Sequence, residues 1–275
     1  THSGTLTITG GVAATIAELI TINAATDDTV TLNTATIQAN YSDTVANLTN
    51  AFTGITTHTG TLTATGTAPT VAQANVLDAV TAGVLTATVQ DDATALATLT
   101  GTGNAYTITL DNDDAATVAE LVTINAATTG AITLNALTIA ANYEDTAANL
   151  VLAFAGITTH TGTLTVSGAA ATVAQANILD AVTTGVITEV LATDTATNLA
   201  TLTGTNNAYT ITINNDETAT IAQLKAINAA TTGAITLNTS TIAANYSDTV
   251  ANLTSAFAGI TTHTGTLTAT GTAPT

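Results

Sequence analysis

The chain is 275 residues long and carries one basic residue, Lys225, against nineteen acidic ones, for a formal net charge of −18. The counterion release that drives nucleic-acid binding has almost nothing to act through, so nucleic acid and anionic membrane surfaces are excluded as partners. Zero cysteine rules out disulfides and thiolate metal sites but does not choose a compartment, and no secretory signal, transmembrane run or lipidation motif is legible in these residues.

From the N-terminus onward, a Thr-x-Thr or Thr-x-Asn triplet returns eleven times, beginning at Thr5, Thr31, Thr61, Thr86, Thr107, Thr133, Thr163, Thr188, Thr210, Thr236 and Thr266. One copy, Thr188-Glu189-Val190, breaks the pattern at its last position. The intervals are 26, 30, 25, 21, 26, 30, 25, 22, 26 and 30 residues, so four kinds of unit recur in fixed order every 102 or 103 residues. Periods of this size belong to solenoids and arrays. Residues 57–70 return letter for letter at 262–275. The expectation is one continuous solenoid segment over 1–275, a window of a longer tandem array.

Each triplet sits in a segment such as Tyr209-Thr210-Ile211-Thr212-Ile213, whose alternation predicts a half-buried strand with isoleucine inward and threonine outward. Helix starts follow in chain order. Thr15 with Glu18, Thr70 with Gln73, Thr117 with Glu120, Thr172 with Gln175 and Thr220 with Gln223 each match the S/T-x-x-E/Q capping box. In the 30-residue units the predicted helix start is an aspartate, Asp43, Asp145 or Asp248, and Val250, Leu253 and Phe257 show helical spacing in the last copy. The 21- and 22-residue units leave room only for short helices around Leu96 and Leu99 or Leu199 and Leu202. Thr231-Thr232-Gly233 reads as a helix stop with a left-handed glycine.

Strand, turn, helix and turn in every unit predict an α/β fold. The specific expectation is a right-handed α/β solenoid with one short parallel strand and one helix per coil, about eleven coils of 21–30 residues. An all-β solenoid is the alternative, since threonine and valine suit strands. A core built from Ala, Val, Ile and Leu, with only eight aromatics, suits thin stacked layers.

In architecture the pattern resembles leucine-rich-repeat solenoids, although the L-x-x-L-x-L-x-x-N motif is missing. Phrases such as Thr172-Val173-Ala174-Gln175-Ala176-Asn177-Ile178-Leu179-Asp180-Ala181 and Asp248-Thr249-Val250-Ala251-Asn252-Leu253 resemble the repeat regions of giant bacterial, especially cyanobacterial, cell-surface and secreted proteins. That resemblance implies an extracellular or cell-surface location and a structural or adhesive role.

Candidate site residues are few. Threonine makes up about a quarter of the chain. Its outward pairs, Thr61, Thr63, Thr107, Thr109, Thr163, Thr165, Thr210, Thr212, Thr266 and Thr268 among them, would form two parallel files of hydroxyls and methyls. Such a face resembles the ice-facing surface of β-solenoid antifreeze proteins and would suit ice, polysaccharide, mineral or a second copy. Asn33, Asn135 and Asn238 interrupt it.

His58, His160 and His263 recur four units apart, about 19 Å at strand spacing, too far to share a metal, and read as turn or surface histidines. Acidic turns at Asp27-Asp28, Asp91-Asp92, Asp111-Asn112-Asp113-Asp114 and Asp216-Glu217 are oxygen-rich enough for calcium but match neither the EF-hand nor the glycine-rich nonapeptide spacing. Asn23, Asn75, Asn125, Asn177 and Asn228 are expected to face inward and bond from coil to coil. Glu189 takes the inward position that Ala87 has in the matching unit, which requires a shifted strand or a partner.

No nucleophile, base and orienting group occur together, so the chain reads as no enzyme, with no cofactor. The expected function is structural: reach, stiffness and self-association in a filament, adhesin stalk or surface layer. A binding module acting through the threonine face is the alternative.

Overall fold

The computed structural model describes residues 2–111 and 113–271. Among them strands and helices alternate, and the strand pairings are parallel. The fold is therefore mixed α/β, and the all-β alternative is overturned. The chain divides into two compact units, Thr1–Thr138 and Ile139–Thr275.

Unit 1 runs β1 (Leu6–Thr7), α1 (Ile16–Ala24), β2 (Val30–Thr31), α2 (Thr34–Gln38), β3 (Tyr41–Thr44), α3 (Val45–Phe52), β4 (Leu62–Thr65), α4 (Val71–Ala79), β5 (Leu85–Asp91), α5 (Ala93–Leu96), β6 (Ala105–Leu110), α6 (Val118–Ala127) and β7 (Ile132–Thr133). After α7 (Ala136–Ala140), unit 2 continues with β8 (Tyr143–Asp145), α8 (Ala147–Ala153), β9 (Leu164–Val166), α9 (Val173–Val182), β10 (Ile187–Val190), α10 (Ala196–Leu199), β11 (Ala208–Thr212), α11 (Ile221–Ala230), β12 (Ile235–Thr236), α12 (Thr239–Ala243), β13 (Tyr246–Thr249), α13 (Val250–Phe257) and β14 (Leu267–Thr270). Unit 1 holds the sheets β1-β2 and β3-β4-β5-β6-β7; unit 2 holds β8-β9-β10-β11-β12 and β13-β14.

Local chemistry explains most of these boundaries. All five capping boxes form: the Thr117 hydroxyl accepts from Glu120 N at 3.2 Å while Glu120 Oε2 accepts from Thr117 N at 2.8 Å, and the boxes at Thr15, Thr70, Thr172 and Thr220 repeat this geometry. Two orphan donors are satisfied at each helix start. The bond from the Thr15 backbone, then the one from its hydroxyl, holds the Glu18 carboxyl below the usual range.

The aspartates of the 30-residue units are not the caps. Thr44, Thr146 and Thr249 are, and the preceding aspartate braces the turn. Asp43 Oδ1 accepts from Thr44 N at 2.7 Å and from Asn47 Nδ2 at 2.8 Å. The bond from Asn47, then that from the Thr44 backbone, lowers the Asp43 carboxyl, and Asn252 does the same for Asp248.

Each shorter repeat carries one strand and one helix, and the 30-residue repeats depart from this. These carry two of each: β2, α2, β3 and α3 in the first, with β12, α12, β13 and α13 matching them later. The cause is the asparagine that closes the Thr-x-Asn triplet. Asn33 Oδ1 accepts from Thr36 N at 2.8 Å and starts the extra helix, and Asn135 and Asn238 do the same for Thr138 and Thr241. The first strand therefore stops after two residues, the sheet ends, and Tyr41 or Tyr246 opens the next one.

The four largest fully buried side chains are Tyr106, Tyr209, Phe52 and Phe154, but most of the core is aliphatic, as in Leu48, Leu62, Leu77, Leu85, Leu121 and Ile124, each about 1.5–3 kcal/mol of transfer free energy. Six of the eight aromatics lie in the 30-residue repeats, the other two being Tyr106 in β6 and Tyr209 in β11. Phe52 packs edge-on to Tyr41 at 5.4 Å, and Phe154 to Tyr143 at 5.4 Å.

Gly233 is not left-handed, contrary to the expectation for a helix stop. It is required by proximity: a Cβ there would stand 2.3 Å from the Tyr209 carbonyl oxygen of the preceding coil. Gly83 is alike, with the Gly60 oxygen 2.2 Å from a Cβ, whereas a Cβ on Gly11 would meet nothing within 4 Å. Gly83→Ala is therefore expected to destabilise unit 1 by about 1–3 kcal/mol in denaturant titration, as overpacking against backbone does, while Gly11→Ala stays within about 0.5 kcal/mol of the parent.

Candidate functional site

The threonines predicted to face outward are open to solvent to differing degrees, but in β14 Leu267, between Thr266 and Thr268, is exposed as well and no inward face is distinguished there. Thr107, Thr163, Thr210, Thr266 and Thr268 are exposed, and Thr61, Thr63, Thr109, Thr165 and Thr212 are partly exposed. Between them Leu62, Tyr106, Ile108, Leu164, Tyr209 and Ile211 are buried, which is the alternation of a one-sided sheet.

The two straight files do not form. Thr63 lies opposite Thr86, but Thr86 lies opposite Ala105, and Thr88 meets Thr107. Thr109 then meets Thr133. In unit 2, Thr165 pairs with Thr188, Thr188 with Ala208, and Val190 with Thr210. The second outward residue of one strand meets the first of the next, so the face runs obliquely. Asn135 and Asn238 do not belong to it: both are buried, and each donates from Nδ2 to two carbonyls of the preceding coil, Asp111 and Asp114 for Asn135, Asn214 and Glu217 for Asn238.

Sequence reasoning missed the densest polar chemistry, which lies between coils. In Thr128-Thr129-Gly130 the buried Thr128 hydroxyl donates toward the carbonyls of Asn104 (3.2 Å) and Tyr106 (2.7 Å) and accepts from Gly130 N at 2.8 Å. Thr231 repeats this clasp on Asn207, Tyr209 and Gly233 at 3.2, 2.7 and 2.8 Å. Thr81 reaches Gly60 O at 2.7 Å, Thr183 reaches Gly162 O at 2.8 Å, and Thr26 reaches His2 O and Gly4 O at 3.0 Å. The signal was present as a repeated Thr-x-Gly, read only as a helix stop.

Buried Asn104 and Asn207 form a second clasp. Asn207 Oδ1 accepts from Ile187 N at 2.9 Å, while Nδ2 donates to Asp180 Oδ1 at 3.0 Å and to the Tyr209 hydroxyl at 2.9 Å. Asn104 does the same with Leu85, Asp78 and Tyr106. The helix asparagines are half-buried and bond to backbone of the next coil: Asn23 to Asn50 O and Thr53 O, Asn75 to Thr98 O and Thr100 N, Asn177 to Thr201 O and Thr203 N, Asn228 to Ala256 O and Ala258 O. They cap neighbouring helix ends and do not stack on one another; Asn125 is likewise half-buried and engaged.

His58 and His160 are fully buried, not surface residues. Each ring packs 4.8 Å from a phenylalanine, Phe52 or Phe154, and Nε2 stands 2.9 Å from a carbonyl, Ala39 or Ala141. That contact assigns the proton to Nε2. His263 makes the same contact at 3.0 Å from a less buried position. The acidic turns do not converge: among the described residues no three His, Cys, Asp or Glu side chains are placed to hold a metal ion. Asp92 caps α5, Asp111 accepts from Gln90, and Glu217 accepts from Thr197; Asn112 lies outside the described residues.

Glu189 points inward, with its strand in the same register as Ala87, and neither carboxylate oxygen has a hydrogen-bond partner. The shift considered from sequence lies after it: β10 ends at Val190, whereas β5 runs to Asp91. Burial pushes the Glu189 carboxyl up to about 7.

No helix among the described residues is long and apolar enough to cross a membrane. No protein-family model, curated protein or solved structure matches the chain.

Burial depresses the His58 and His160 imidazoles below their ordinary 6.5, against the opposing carbonyl bonds. The folded state keeps them neutral while the unfolded chain takes up protons, so their contribution is complete above pH 6.5 and declines as pH falls below it. Thermal melts across pH 4 to 7.5 should show a shallower acid limb for the His58→Gln/His160→Gln double variant than for the parent. Parallel curves would contradict the assignment.

Proposed function

We propose that the chain is a structural repeat segment of an extracellular or cell-surface filament, adhesin stalk or surface layer, in which a right-handed α/β solenoid supplies reach, stiffness and self-association. The observation that carries this reading is the recurrence of the same contacts between successive repeats within each unit. Thr81, Thr128, Thr183 and Thr231 make the same clasp, so stability accrues coil by coil, as expected of a quasi-one-dimensional repeat protein. Among the described residues much of the polar side-chain bonding runs from one repeat to the next.

Further support comes from β1 and α1. Ile8 and Ile22 are partly open to solvent, whereas their counterparts Leu110 and Ile124 in unit 1, and Ile213 and Ile227 in unit 2, are buried. A face of this kind suits a further coil, which is the route to end-to-end growth. The likeness of the repeat phrases to giant bacterial surface proteins points the same way.

The second reading is a binding module working through the exposed threonines. Exposure of Thr86, Thr88 and Thr107 favours it, while the oblique register favours a polysaccharide over a lattice-matched ligand such as ice. Electron microscopy and fibre diffraction of concentrated protein separate the two. Filaments with an axial spacing of about 4.8 Å support assembly. Isolated particles at every concentration would overturn it and favour the binding module.

A further inference from the structure

Unit 2 departs from unit 1 at one inward position of its sheet. Glu189 stands opposite Tyr209 where Ala87 stands opposite Tyr106. Its side chain is 3 % exposed, flanked in β10 and just beyond by buried Ile187 and Leu191, and both oxygens lack a hydrogen-bond partner. A neutral carboxylic acid tolerates such a place far better than a carboxylate, which loses its water and gains no cation.

The surrounding elements offer no compensating charge. β9 and α10 carry no titratable side chain, β11 brings Tyr209, and α9 brings Asp180. Asp180 is held by Asn207 Nδ2, which also donates to the Tyr209 hydroxyl. Asp194, past the end of β10, accepts from Thr195 N and Asn198 Nδ2. Lys225, the one basic side chain in the chain, donates to Asn252 Oδ1 at 2.6 Å. A charge on Glu189 therefore faces a phenol and, beyond it, another acid.

The sheet is irregular just beyond the same place, although Val190 and Ala192 bond to Ala171 on the other side. β10 has four residues against seven in β5. Val190 is 56 % exposed, Leu191 N still donates to Thr210 O of β11 at 3.0 Å, and the extra residue of this coil lies between Leu191 and Asp194, which stands opposite Ile213. A short strand with a bulge after it opens more readily than a continuous one.

We propose that Glu189 makes β10 a proton-operated release point in unit 2: with its proton the strand stays packed, and without it the segment from Ile187 to Thr193 lets go of β11, while β5 of unit 1 holds. Burial sets the direction. The carboxyl sits at about 7 in the fold against an ordinary 4.5, so the contribution of the protonated side chain is complete below pH 4.5 and is lost as pH rises through about 7. Over that window the ratio of open to closed β10 rises by roughly two orders of magnitude.

The test is hydrogen exchange on the full chain at pH 5.5, 7 and 8.5, corrected for intrinsic exchange, with the parent, Glu189→Ala and Glu189→Gln. Alanine is the residue unit 1 already accommodates at this position, and glutamine keeps the volume without the charge. The expected result is a fall of tenfold or more in protection of β10 and β11 from pH 5.5 to 8.5 in the parent, no such fall in β5 and β6, and its loss in both variants. Unchanged protection of β10 in the parent, an equal fall in both units, or the same fall in either variant would overturn the proposal.

Discussion

A threonine hydroxyl buried between two coils is the contact on which the rest of this molecule depends. Parallel strands of two to seven residues supply few backbone bonds each, and at the turns before β7 and β12 two carbonyls of the preceding repeat, Asn104 and Tyr106 or Asn207 and Tyr209, point at one threonine hydroxyl. The hydroxyl of Thr128 or Thr231 answers them and simultaneously accepts the amide of the glycine two residues on. Each such bond is worth about 1 kcal/mol net, but an unmade one leaves a buried amide and carbonyl unsatisfied at about 1–3 kcal/mol. The clasp thus selects register more strongly than it adds stability.

Glycine follows from that contact. Bringing the next coil near enough for the hydroxyl to bridge also brings its backbone against the carbonyl behind, where a Cβ on Gly130 would stand 2.2 Å from the Tyr106 oxygen. The same closeness fixes which outward residues meet, and the oblique threonine face is its consequence. In the 30-residue coils a different solution appears. Asn135 and Asn238 cap an added helix and bond to the coil behind, and the same coils hold a tyrosine, a phenylalanine and a histidine whose proton is committed to a carbonyl.

Much of this was legible in the residues alone. The period, the α/β class, the five capping boxes and the outward threonines follow from local rules, because alternation and capping are decided within a few residues. Three features were not. The second helix of the 30-residue coils hides in Thr-x-Asn, since asparagine at the end of a strand reads equally as surface or cap. The burial of His58 and His160 depends on the carbonyl of Ala39 or Ala141, nineteen residues back, and on the ring of Tyr41 or Tyr143, which no short local window contains. Thr-x-Gly gives the same letters for a helix stop and for an inter-coil clasp, and only the position of the preceding coil distinguishes them. Glu189 was visible as an anomaly, but the residue inserted after it had to be located before its register could be known.

The most direct test of the central role of the clasp is the stability of Thr128→Val beside Thr107→Val, both in unit 1, by denaturant titration. Valine keeps the shape of threonine and removes only the hydroxyl. At Thr128 the loss strands Gly130 N and the Tyr106 carbonyl, for an expected cost of about 1–3 kcal/mol, whereas exposed Thr107 should change by less than about 0.5 kcal/mol. Equal, small effects at both positions would contradict the account, because the buried hydroxyl would then be a passenger in a stack held by apolar packing alone.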